Sequence, residues 1–95
     1  MNLETFFIPY VHGNPLAVDI KGHRLLLVGT DPELMNDQLE FIGGDTLREL
    51  KLPEGDRDQL AEIAASVRGG VVVAPEGMTL GDLLDDLETE LPWVH

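Results

Sequence analysis

The sequence predicts a small domain, α/β or α+β in formal class, built on one mixed sheet of about five strands with helices on one or both faces. Three observations carry that expectation. Leu25-Leu26-Leu27-Val28 is apolar at every position, as in a strand covered on both faces. Three later stretches each gather their apolar residues on one helical face. From the first of these onward, strands and helices alternate, which favours parallel strands joined by right-handed crossovers. The element order reads β-β-β-α-β-α-β-α over one domain, residues 1–95.

The chain is organised around Pro15–Asp31, a β-hairpin whose second strand feeds a helix. Lys21-Gly22 is its two-residue turn, with Gly22 supplying the positive φ such turns require. Counting outward sets Ile20 opposite His23, Asp19 opposite Arg24 and Val18 opposite Leu25. Leu16, Val18, Leu25 and Leu27 then share one face, and Asp19 and Arg24 form an opposite-charge cross-strand pair. A slip of one residue would turn Asp19 onto the apolar face, so the register is well specified. The second strand belongs near the middle of the sheet.

Ahead of the hairpin, ETFFIPYV over residues 4–11 has the aromatic and β-branched content of a strand. Pro9 removes a ladder donor, which places it on an edge strand or near a strand end. His12-Gly13-Asn14-Pro15 is a turn by composition, so the first two strands pair antiparallel. After the hairpin, Thr30 or Asp31 can cap a helix that Pro32 opens and Glu33 favours electrostatically. Leu34, Met35, Leu39 and Ile42 form its stripe, and Gly43-Gly44 ends it. A strand over 45–52 follows, closed by Pro53 and Gly55. The second helix, about 56–68, buries Leu60, Ile63, Ala64 and Val67 and stops at Gly69-Gly70. Val71–Ala74 is a short buried strand. Thr79 caps the third helix, whose stripe is Leu80, Leu83, Leu84, Leu87 and Leu91 and which Pro92 ends.

Charge and composition narrow the function. Eighteen acids stand against six basic residues, a net charge of −12. Glu76, Asp82, Asp85, Asp86, Glu88 and Glu90 fall in the last quarter, which holds no Lys or Arg. Direct binding to nucleic acid or to an anionic membrane is therefore not expected. The chain has no cysteine, so disulfides, thiolate metal sites and a cysteine nucleophile are excluded. A cytoplasmic setting is the expectation, with no apolar run approaching the ~20 residues of a membrane span.

Catalytic constellations are sparse. There is no GxGxxG, P-loop, G-x-S-x-G or HExxH pattern, and His12, His23 and His95 are scattered. Helix starts already carry carboxylates, which would repel an incoming phosphate. Asp31, Asp56 and Glu76 lie in the strand-end loops and could hold Mg²⁺ or Ca²⁺ if those loops converge; the alternative is that they stabilise helix dipoles. No cofactor is expected. Asp85, Asp86, Glu88 and Glu90 form the acidic face of the last helix, and Trp93 with Val94 lies beyond it. These are the candidate protein contacts, Trp93 being the only tryptophan.

The order of landmarks is similar to that of the N-terminal-like domain of the SseB family. The resemblance lies in an early strand around a proline (Phe7-Ile8-Pro9), a strand entering a capped helix (Leu27-Val28-Gly29-Thr30-Asp31), and Gly70-Val71-Val72-Val73-Ala74-Pro75 before a leucine-rich helix. Val28-Gly29-Thr30 stands where that family has Phe-Thr-Ser, and Ala74-Pro75 where it has Asn-Pro. The resemblance implies a small α/β protein used in regulation or protein contacts, and no functional residue is carried over from it. The leading expectation is a non-enzymatic protein-binding or regulatory module that self-associates as a homodimer. The second is a small enzyme or enzyme subunit with a cation or ligand site at the strand-end loops. The third is an acidic mimic of nucleic acid that occupies a basic protein.

Overall fold

The computed structural model describes residues 2–89, and its centre is β4 (His23–Val28). Because β4 is apolar on both faces, it divides the interior into two cores. Leu25 and Leu27 pack with Ile20, Met35, Ala74, Leu80, Leu83 and Leu87 on one side. Leu26 and Val28 pack with Phe6, Ile8, Tyr10, Leu52, Leu60 and Ala64 on the other.

The elements run β1 (Leu3–Val11), β2 (Asn14–Pro15), β3 (Val18–Ile20), β4, α1 (Pro32–Asn36), β5 (Thr46–Pro53), α2 (Asp58–Ser66), β6 (Gly70–Val73) and α3 (Leu80–Thr89). This is the expected mixed α/β content with three helices, plus the two-residue strand β2. The hairpin has the expected register: Val18 pairs with Leu25, Asp19 with Arg24 and Ile20 with His23. Lys21 and Gly22 both take positive φ, 51° and 81°, the signature of a type I′ turn. β6 lies parallel to β4 on its other side, so β4 is central in the order β3-β4-β6.

One continuous sheet of about five strands does not form. The strands divide into β3-β4-β6 and β2-β1-β5, joined where Phe7 and Gly29 exchange main-chain hydrogen bonds. β5 does not align with β4 and β6; it runs antiparallel along β1 from Leu3 to Tyr10. Its composition gives the reason. Arg48, Glu49 and Lys51 are exposed, so β5 has one wet side, which antiparallel sheets tolerate and doubly covered parallel sheets do not.

Pro9 falls on the second of its two expected placements: β1 is the middle strand of its sheet, and Pro9 lies buried two residues before the strand's end at Val11. The carbonyl of Pro9 accepts from Leu16 N–H and Phe7 bonds Gly29, so the odd positions of β1 point away from β5. The missing N–H of Pro9 thus falls at the changeover from Gly29 to β2 and removes nothing from the β1–β5 ladder.

α1 is shorter than its stripe suggests. Regular helix stops at Asn36, and hydrogen-bonded turns carry the chain to Gly43. Asn36 and Asp37 are poor helix-interior residues because their side chains compete for nearby main-chain groups. The segment still closes as a helix would: Gly43 N–H bonds Glu40 O, Gly44 N–H bonds Leu39 O, and Gly43 has φ 95°. Met35 and Leu39 remain buried.

Candidate functional site

A half-open groove of about 520 Å³ lies between β3, the turn after α1, and the outer face of α3. Its walls follow from the two cores. Leu80, Leu83 and Leu87 are drawn into the interior, which turns Asp82, Asp85 and Glu88 outward along one wall. Thr79 caps the helix by accepting from Asp82 N–H at 3.0 Å and so fixes where that wall begins. Gly81 lets α3 approach the opposite wall. A Cβ there would lie 3.3 Å from Gln38 Cγ and 3.5 Å from an Asp37 carboxylate oxygen.

The remaining lining comes from Val18, Asp19 and Ile20 of β3 and from Asp37, Gln38, Phe41 and Ile42. Asp19, Asp37, Asp82, Asp85 and Glu88 therefore ring a floor that includes Val18, Ile20, Ile42 and Leu84, and no lining residue is basic. Phe41 stands on the rim 80% exposed, one of two large hydrophobics left open among the described residues. Apolar surface and several carboxylates in one groove can take up a segment that is basic and apolar at once. Among the described residues the lining holds five carboxylates and the Thr79 hydroxyl but no histidine.

The expected contact residues Asp85 and Glu88 line this groove, and Asp86 is exposed on the same helix outside the lining. Glu90, Trp93 and Val94 lie outside the described residues. Phe41, Asp19, Asp37 and Asp82 were not foreseen as site residues. Phe41 carried a usable signal, being the one large apolar residue of the 34–42 stretch outside the Leu34, Met35, Leu39, Ile42 stripe.

Asp31, Asp56 and Glu76 do not assemble as a cation site. Among the described residues no group of three or more His, Asp or Glu could hold a metal ion. Asp31 caps α1, accepting from Glu33 N–H at 3.0 Å, and Asp56 accepts from Asp58 N–H at 3.0 Å. The parallel pair β4 and β6 does bring Asp31 beside Pro75 and Gly77, but only around a dent of about 10 Å³. The loop carrying Asp56 follows β5 into the other sheet and is fastened there to the start of β1.

That fastening is the best-defined polar cluster outside the groove. Glu4 accepts from Arg57 at 3.1 Å and from Gly55 N–H at 2.9 Å, while Asn2 and Glu54 bond each other. The guanidinium of Arg57 also lies 4.8 Å from the centre of the Phe6 ring. The Arg57 hydrogen bond, and then the Gly55 N–H, hold the Glu4 carboxyl below its usual range. Asp45 is lowered too, chiefly by the main-chain N–H of His12.

Lowered folded-state pKa values give stability that is fully present above the ordinary carboxylate range and is lost as pH falls through the folded values. Arg57→Ala is accordingly expected to raise the Glu4 pKa toward normal and to flatten this part of the acid limb. NMR titration of the Glu4 side chain, with unfolding midpoints from pH 6 to pH 3, checks both. An unmoved Glu4 pKa would show that Gly55 alone sets it.

No family model matches the chain, and no curated protein is significantly similar to it. Among the described residues no helix is long and apolar enough to cross a membrane.

Proposed function

We propose that this protein is a non-enzymatic binding module whose acidic groove receives a basic, partly apolar segment of a partner protein. The observation that carries the reading is the ring of Asp19, Asp37, Asp82, Asp85 and Glu88 around an apolar floor with Phe41 open on its rim. Aromatic anchors supply contact area at interfaces, and complementary charge speeds encounter and fixes orientation. A mimic of nucleic acid would need its carboxylates strung like phosphates; here they surround apolar side chains, which suits a peptide better. The SseB-like landmark order points the same way, toward regulation through protein contacts. The cysteine-free sequence fits a cytoplasmic setting.

The test uses synthetic peptides of about a dozen residues in which Lys or Arg alternates with Leu, against peptides of equal charge with Ser in place of Leu. Amide spectra should shift saturably at residues 18–20, 37–42 and 79–88 with the first set and much less with the second. Phe41→Ser, or Asp82→Asn with Asp85→Asn, should weaken binding about tenfold, and the two-Asn variant should also lessen its salt dependence. Shifts spread evenly over acids elsewhere, such as Glu33 and Glu62, would reduce the groove to one part of a generally negative surface.

A further inference from the structure

We propose that two copies of this chain associate through the outer edge of β5, antiparallel about a two-fold axis at Leu50, as a dissociable homodimer. The proposal does not rest on the groove.

β5 spans eight residues, twice the length of the edge strand β6 and longer still than the edge strand β3. Among the described residues it pairs with β1 alone. Tyr10 O accepts from Asp45 N–H on the β5 side, and Phe7 and Pro9 bond away from β5, so the even positions of β1 face β5. Their cross-strand partners Thr46, Arg48, Leu50 and Leu52 therefore bond inward. Leu47, Glu49 and Lys51 direct their main-chain N–H and C=O groups to the open edge, and Glu49 and Lys51 are exposed. Such a row is a template for another strand.

The charges on β5 select both the partner and the register. A two-fold centred on Arg48, Glu49 or Lys51 would set a like charge against itself. Centred on Leu50, it sets Glu49 of each copy opposite Lys51 of the other, on one face, at positions that exchange main-chain hydrogen bonds. Arg48 falls opposite Leu52, and the leucines at position 50 meet at the axis. Pro53 has no N–H to offer the edge, so pairing ends there.

The wider field favours the same place. Each copy carries a net charge of −12, and two copies repel almost everywhere. β5 holds Arg48 and Lys51, two of the six basic residues, against Glu49 alone. With the Lys21–Arg24 end of the β3-β4 hairpin, it is one of the few stretches where basic residues outnumber acids. A single strand edge buries less than the roughly 800 Å² per partner typical of stable complexes, so exchange between monomer and dimer is expected.

A charge-swap series on the full chain tests this by sedimentation equilibrium at about 0.15 M salt, where long-range repulsion is screened beyond ~8 Å. The wild type should show a concentration-dependent dimer. Glu49→Lys and Lys51→Glu should each weaken it about tenfold or more, because both cross-strand pairs become like-charged. The two changes together should restore it, since each charge again faces its opposite. Unchanged melting temperatures would confirm that all three variants fold. A wild type that stays monomeric to about 1 mM, single variants that dimerise as well as wild type, or a double variant no better than the singles would each overturn the proposal.

Discussion

Leu26→Ala and Leu27→Ala are each expected to lower the unfolding free energy by about 2–5 kcal/mol, and the pair together by roughly the sum. The two residues are neighbours in β4, and both are buried to 1% exposure or less. They nonetheless serve different interiors. Leu26 contacts the core shared with β1, β5 and α2, and Leu27 the core shared with α1 and α3. Neither cavity can be filled by relaxation of the other, because the β4 backbone stands between them. Their costs should therefore add, to roughly 4–10 kcal/mol, against a total stability of about 5–15 kcal/mol for a domain this size. Urea unfolding followed by circular dichroism measures the single variants, each expected to melt roughly 10–30 °C below wild type. Partial loss in the double variant, with one helix set still cooperative, would show that the two cores fold independently.

Gly69→Ala should destabilise the protein by about 1–3 kcal/mol, while Gly70→Ala, one residue on, should be neutral or mildly stabilising. A Cβ at Gly69 would lie 2.8 Å from Arg24 O and 3.2 Å from the Arg24 carbonyl carbon. Those are main-chain atoms of β4 and cannot swing aside as a long side chain would. The chain must then move off β4 just where it enters the parallel pairing that begins at Leu25 and Gly70. At Gly70 the nearest atom to such a Cβ is Leu25 Cδ2 at 3.8 Å, an ordinary contact. Loss of glycine's conformational freedom in the unfolded chain then works in favour of the alanine. Equal midpoints for the two variants in thermal melts would refute the steric account. The close approach also explains how α2 ends. Gly69 occupies the position that must be bare, so Arg68 takes the left-handed conformation at φ 59°, with Arg68 N–H on Ala65 O and Gly69 N–H on Ala64 O.

The sites divide in the same way as the energetics. Asp85 and Glu88 were legible as an outward-facing pair because α3 is amphipathic on its own account. Part of their company was not legible, since Asp19 and Asp37 come from separate elements that only packing brings opposite α3, the helix that also carries Asp82. The failed cation triad has the mirror-image cause. Asp31, Asp56 and Glu76 would share an edge only if β5 ran parallel beside β4 and β6, and β5 went to β1 instead.

What the amino-acid sequence determined alone is local. The Lys21-Gly22 turn, the cross-strand register it dictates and the Asp31 and Thr79 caps depend on interactions within a few residues, and they stand as read. The burial of β4 belongs with them, because unbroken apolar character leaves a strand no wet face. Tertiary structure decided which strand edges meet, how the sheet divided in two, and which carboxylates face one another across the groove. Those choices compare pairings between segments far apart in the chain. Their free energies differ through burial and edge complementarity, which no short stretch of sequence contains.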